Sequence, residues 1–257
     1  MRDWMAAAEA ALEASGAAIR PYFRAGTLAD DKSDESPVTV ADRKAEQILR
    51  EILLGACPDC GIIGEEFPPH RPDQKYTWVI DPIDGTRAFI TGRTTFCTLL
   101  GLLEDGVPVL GLIDQPVTGE RWWGGRGVPA GFSGGFGGKV GTRQTVRLAE
   151  AEFSATSPEM FDAAQTTRLD RLKNAAKRVY WGGDAYAYGL LALGQIDVVA
   201  ECSLKPWDWA ALAPVVEAAG GVVTDWQGRK LKLGVTAGDV VAAANAALHR
   251  EALAALA

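Results

Sequence analysis

The stretch Ile80-Asp81-Pro82-Ile83-Asp84-Gly85-Thr86 constrains this chain more than any other. An apolar run from Tyr76 to Ile80 reads as a strand and ends on an acid. Pro82 stiffens the turn that follows, and Gly85-Thr86 leads into the helix-compatible Arg87-Ala88-Phe89-Ile90. A second strand-like tetrad, Gly61 to Gly64, runs into Glu65-Glu66, and far downstream Trp207-Asp208-Trp209 opens another apolar periodic segment. Acids at strand ends lie where α/β sheets place ligand sites. Taken singly, Asp81 is a turn residue and Asp84 a helix N-cap. Taken with Glu65 and Asp208, they form an all-oxygen donor set of the kind a hard cation such as Mg²⁺ shares with a phosphate. A helix starting at Gly85-Thr86 would also aim free N–H groups at that phosphate.

The 257 residues suffice for one large or two small domains, and the composition is that of a globular enzyme, 47% hydrophobic and 23% charged. A net charge of −7 argues against a nucleic-acid groove, which needs clustered Lys and Arg. An acidic protein that binds an anionic phosphate needs a cation in the site, and bound metal meets that need. No apolar run of about 18 residues is present. The Ala-rich start carries Asp3, Glu9 and Glu13, which argues against a transit peptide and for a cytoplasmic location. Cys57-Pro58-Asp59-Cys60 has zinc or redox spacing, but Cys97 and Cys202 are isolated, so all four read as incidental thiols.

Periodicity predicts an amphipathic helix over residues 3–23 and a second after Thr39, with Asp42 completing its cap and Ala45, Ile48, Leu49, Ile52 and Leu53 facing inward. Glu104-Asp105-Gly106 joins two strands as a hairpin. Gly124 to Gly141 lacks the strand-loop-helix frame of a dinucleotide site and reads as a mobile hairpin loop. It falls near the seam between residues 1–150, an α+β half carrying most of the candidate metal ligands, and residues 151–257, an α/β half carrying Asp184, Glu201 and Asp208. The site is expected between these halves of one compact unit. In the second half, Ser157-Pro158 starts a helix, Ala185–Leu193 and Trp207–Ala219 are helical, and strands lie at 179–181, 198–201 and around Val222 and Val240.

The chain resembles the inositol monophosphatase superfamily of magnesium-dependent, lithium-sensitive phosphatases. The resemblance rests on Gly64-Glu65-Glu66, on Trp78 through Thr86, on Trp207-Asp208-Trp209-Ala210-Ala211 with Gly220-Gly221 after it, and on Lys32, Pro37-Val38-Thr39 and Ala41-Asp42. It implies an α/β fold, a layered αβαβα sandwich, with two or three Mg²⁺ per site and a homodimer. Glu65, Asp81 and the Ile83 carbonyl would hold one ion, and Asp81, Asp84 and Asp208 another, with Glu66 at an outer position. Asp42 would pair with Thr86 to orient the attacking water, the Gly85 and Thr86 backbone would hold phosphate oxygens, and Lys32 would lie near the water. The ions would neutralise the ester's anionic oxygens and stabilise the leaving alkoxide.

Substrate choice must come from residues over the leaving group. Asp184 and Glu201 are both acids, whereas the resemblance implies a small residue at the first position in inositol enzymes and a hydroxyl contact at the second. Two acids beside Asp84 suit a cationic alcohol better than a neutral polyol. The runs Asp84–Gly92, Asp114-Gln115-Pro116, Gly182–Tyr186 and Leu204–Asp208 resemble the histidinol-phosphate phosphatase branch. Lys205 lies close in sequence to Glu201 and is positioned to neutralise it. The competing readings are an inositol-1-phosphatase and, from another class, a non-catalytic metal- or nucleotide-binding homologue. No basic cluster for a second phosphate favours a bisphosphate substrate.

Overall fold

A computed structural model describes residues 2–26, 30–31 and 37–257. Helix α1 (Arg2–Ile19) continues into a 3₁₀ turn at Arg20–Tyr22 in place of the expected helix to residue 23. Pro21 sits at the start of that turn. Strands β1 (Asp30–Asp31) and β2 (Pro37–Val38) pair antiparallel. Helix α2 (Val40–Ala56) opens with the expected capping box: Thr39 accepts from the Ala41 N–H, and the Asp42 carboxylate accepts from the Thr39 N–H and hydroxyl. Lys32 lies outside the described residues.

Next come β3 (Gly61–Gly64), β4 (Tyr76–Asp84), α3 (Thr86–Ile90), β5 (Cys97–Glu104), β6 (Val107–Gln115), β7 (Glu120–Gly125) and β8 (Val128–Ser133). The six strands form one sheet in chain order, antiparallel except for β3 beside β4. Positive φ at Asp105 and Gly106 makes the β5–β6 link the tight turn that an Asp-Gly pair favours. The glycine-rich stretch is not simply a loop: Gly124–Gly125 and Val128–Ser133 belong to the β7–β8 ladder.

The remaining elements are β9 (Glu152–Ala155), α4 (Ala163–Ala175), β10 (Arg178–Trp181), α5 (Asp184–Ala192), β11 (Val198–Glu201), α6 (Pro206–Trp209), α7 (Leu212–Ala218), β12 (Val222–Asp225), β13 (Val240–Ala243) and α8 (Ala246–Leu256). Their strands form a second sheet in the order β10-β9-β11-β13-β12. Two expectations fail here. Ser157-Pro158 begins one 3₁₀ turn, and the α-helix proper starts at the Asp162 cap with its own capping box. The predicted 207–219 helix is broken into α6 and α7 at Ala210–Ala211.

Strand alternation sorts the core into layers. Leu100 and Leu102 of β5 pack with Leu12 of α1 and with Leu49 and Leu53 of α2. Leu99 and Leu103 face the other way, toward Tyr188, Leu212 and Val216 of the middle helices. Val199 of β11 joins that middle layer, while Val198 and Ala200 meet Leu172 and Leu248 beyond the second sheet. The order is α1/α2, first sheet, α5–α7, second sheet, α4/α8: the layered αβαβα arrangement. With helices on both faces, central strands are apolar on both sides.

Close approach fixes the middle layer. Gly101, Gly111 and Gly124 sit side by side on β5, β6 and β7. A Cβ on Gly111 would stand 2.0 Å from the Ala211 carbonyl oxygen, and one on Gly101 2.7 Å from the Ala210 carbonyl carbon. The break between α6 and α7 therefore rests backbone-on-backbone against a glycine row.

Cys57 and Cys60 form a disulfide, which corrects the reading of incidental thiols. The turn ending α2, with Cys60 N–H donating to Cys57 C=O, brings their Cα atoms to 5.5 Å, within bonding geometry. Cys97 and Cys202 are free and buried.

Candidate active site

A bulge in β4 aims the central acids. Asp81 lies opposite Leu99 and Asp84 opposite Cys97, so three steps on β4 match two on β5. In a regular strand, residues three apart face opposite sides. The extra residue turns Asp84 to the same face as Asp81, the face that meets the middle helices. Asp208 arrives there on α6, where its carboxylate accepts the Lys205 N–H at 2.7 Å. Carboxylate oxygens of Asp81, Asp84 and Asp208 lie within 4.8 Å of one another. Gly64 pairs with Ile80 in parallel register, so Glu65 leaves the sheet beside Asp81. Glu65 lines the same cavity of about 170 Å³, although it stands outside the tight triad.

At these distances each pair of ionised acids repels by about 3 kcal/mol at an effective dielectric near 20. Burial first, and then Glu65, Asp84 and Asp208, push the Asp81 carboxyl well above the ordinary range. Burial and the charges of Asp184 and Asp208 do the same to Asp84. Burial lifts Asp208 to about 7, with the Lys205 N–H opposing. Clustered carboxylates are costly unless a cation joins them, and this all-oxygen donor set fits a hard divalent ion.

Several expected pairings differ. Asp42 and Thr86 do not hydrogen-bond each other: Asp42 is committed to Thr39, and the Thr86 hydroxyl donates to the Ile83 carbonyl at 3.2 Å. Asp42 is fully buried, its Oδ1 has no hydrogen-bond partner, and it still senses the charge of Glu65. The Glu66 N–H is held at 2.7 Å by Glu46, a buried acid of α2 paired with Arg50. Glu46 thus braces the turn that carries Glu65. It went unread in the sequence, where an i,i+4 Glu-Arg pair suggests only a solvated helix face. Lys205 is exposed and acts on Asp208, and it does not neutralise Glu201.

Gly85, Thr86, Asp184 and Glu201 line the same cavity. Asp184 begins α5 at φ 43°, a region that strains a non-glycine residue. Its carboxylate packs against Gly85, where a Cβ would meet it at 3.0 Å, and Gly85 itself needs φ 82°. The Ala185 N–H donates to Asp84 at 2.7 Å, tying α5 to the acid cluster. Burial lifts Asp184 to about 6, opposed by Thr95, Arg93 and Arg87. Burial lifts Glu201 to about 8, opposed by the Thr156 hydroxyl, which donates to Oε1 at 3.0 Å.

Comparison with known proteins decides the class. The model of the inositol monophosphatase family matches residues 1–257. The chain belongs to this family. Its members are phosphoric monoester hydrolases, and this chain is one of them. The bifunctional phosphatase IMPL2, chloroplastic, of Arabidopsis thaliana is 41% identical over 96% of this chain and 73% of that protein. A histidinol-phosphatase of Chlorobaculum parvum is 35% identical over 95% of this chain and 93% of its own length. Among solved structures, an inositol monophosphatase from Zymomonas mobilis superposes with a TM-score of 0.90 at 45% identity, covering 99% of this chain and 98% of that one. None of the described helices is long and apolar enough to cross a membrane.

Proposed function

We propose that this enzyme is a magnesium-dependent histidinol-phosphate phosphatase, converting histidinol phosphate and water to histidinol and phosphate. The observation that carries the substrate is the second acid pair: Asp184 and Glu201 share the cavity with the triad. An amine or imidazole leaving group finds charge-assisted partners there, which a neutral polyol does not need. The histidinol-phosphatase relatives support the same reading.

In this reading Asp81, Asp84, Asp208, Glu65 and the Ile83 carbonyl hold two or three Mg²⁺ ions. When bound, they supply charge neutralisation on the ester oxygens and acidification of a water. Glu65 orients the attacking water, with Asp42 behind it and the Thr86 hydroxyl beside it. Gly85 and Thr86 seat the phosphate oxygens. The P–O bond to the alcohol breaks as the bond from water forms, the proton lost by the water ends on the departing oxygen, and Asp184 and Glu201 hold the nitrogen-bearing end of the departing alcohol. An inositol-1-phosphatase is the second reading, favoured by the 45% identity to the Zymomonas mobilis protein.

Steady-state kinetics on histidinol phosphate and inositol-1-phosphate, with Mg²⁺, test the choice. Wild type is expected to prefer the first. Asp184→Ala should lower the ratio of the two kcat/KM values about ten- to a hundredfold, the worth of a hydrogen bond to a charged group. Equal losses on both esters would remove the substrate assignment.

A further inference from the structure

Two polar atoms in the cavity wall have no partner. The Tyr188 hydroxyl is buried and makes no hydrogen bond, and the same holds for Oε2 of Glu201. Both residues line the cavity that holds the acid triad. A buried polar group without a partner costs stability, so such groups persist where a ligand completes them. Their placement is set by the chain. Tyr188 lies one helical turn after Asp184 on α5, so the two share a face. Thr156 holds the other oxygen of Glu201 and so fixes its orientation.

Beside Asp184 and Thr156, the apolar side chains of Met160, Leu204 and Leu212 also line the cavity. A polyol with a hydroxyl on every carbon would leave some of them facing these side chains unpaired, at a desolvation cost that an apolar ring face avoids. A flat ring with polar atoms on its edge would bury its faces there and keep its edge for the two free groups. Neutral imidazole carries one N–H donor and one nitrogen acceptor. The phenol offers a donor, and Glu201, whose ionised form a donated N–H favours, offers an acceptor.

We infer that Tyr188 and Glu201 are the specificity-determining seat of the leaving alcohol's imidazole, whose N–H donates to Glu201 Oε2 while its other nitrogen accepts from the Tyr188 hydroxyl. The assignment rests on the histidinol-phosphate reading and adds a residue and an orientation to it.

The test compares wild type with Tyr188→Phe on histidinol phosphate and on alaninol phosphate, which keeps the amino alcohol and lacks the ring. The variant should lower the histidinol-to-alaninol ratio of kcat/KM about tenfold, chiefly through KM for histidinol phosphate. Inhibition by the product L-histidinol should weaken by a similar factor. Because the hydroxyl has no protein partner, the melting temperature should not fall. An unchanged ratio, or a variant that melts markedly lower, overturns the seat. A wild-type enzyme that favours inositol-1-phosphate over histidinol phosphate sinks the substrate reading itself, whatever Tyr188→Phe does.

Discussion

The two ends of the cavity are both acidic, but their acids are arranged for different work. At one end Asp81, Asp84 and Asp208 crowd within 4.8 Å, all oxygen donors, each raising the cost of ionising the next. At the other, Asp184 and Glu201 are raised mainly by burial, and each has its own hydroxyl partner, Thr95 or Thr156. Crowded like charges ask for a multivalent cation that several share. Carboxylates oriented one by one suit single donors on an organic ligand, although Asp184 also adds to the charge felt by Asp84. The contrast separates reaction class from substrate choice: damage at the first end should affect all esters alike, and damage at the second should change their ranking.

The largest expected effect is at the crowded end. Asp81→Asn should lower kcat by about a thousandfold or more, the scale of losing a group that stabilises transition-state charge. Histidinol phosphate and inositol-1-phosphate should suffer equally. The fold should persist, since a neutral amide relieves repulsion where Asp81 is buried. Turnover near wild type in the presence of a chelator would contradict the metal reading of the whole cluster.

Gly111→Ala reaches the same end indirectly and should cost less. Its new Cβ meets the Ala211 carbonyl, so α6 and α7 must lift from the sheet, carrying Asp208 with them. Overpacking of this kind costs about 1–3 kcal/mol, or several degrees of melting temperature. A displaced ligand should lower kcat by up to about a hundredfold and raise the Mg²⁺ concentration for half-activation, with the ester ranking unchanged. A changed ranking would show that the two ends are not separable.

The same contrast explains what could be read from sequence. The crowded end is written mostly in contiguous signals: an apolar run ending in Asp81, a proline, a second acid, a glycine. The Thr39–Asp42 capping box is equally local, and its three-residue spacing was enough to place the start of α2. The chain break at Ala210–Ala211 is not local. Residues 207–219 have unbroken helical periodicity, and the interruption comes where that segment rests on two glycines from distant strands, Gly101 and Gly111. Strand β9 was missed because Glu152 and Ser154 interrupt its apolar character. Both are buried in the sheet, and Glu152 pairs with Arg178. Tyr188 carries no signal in the sequence beyond its place in a helical segment, and most of its ring packs in the core. That its hydroxyl lacks a partner, in the cavity to which β11 brings Glu201, shows only in the folded chain.

The smallest expected signal is a difference between two pH profiles of stability. Asp184, Asp208 and Glu201 have folded-state values of about 6, 7 and 8, above the 3.8 and 4.5 of unperturbed Asp and Glu. Over that interval the folded protein binds more protons than the unfolded chain, so stability falls as pH rises. Urea unfolding of the metal-free protein should therefore show a decline from about pH 4 to about pH 8. Mg²⁺ at about a hundred times its Kd adds roughly 2.7 kcal/mol, and it binds best where the triad is ionised, so it should flatten the part of the decline owed to Asp208. The part owed to Glu201 should survive, because no cation is shared at that end. Glu201→Gln should then remove the remainder above about pH 6 with Mg²⁺ present. If Mg²⁺ alone erases the whole slope, Glu201 belongs electrically to the metal cluster, and the cavity has one acidic end instead of two.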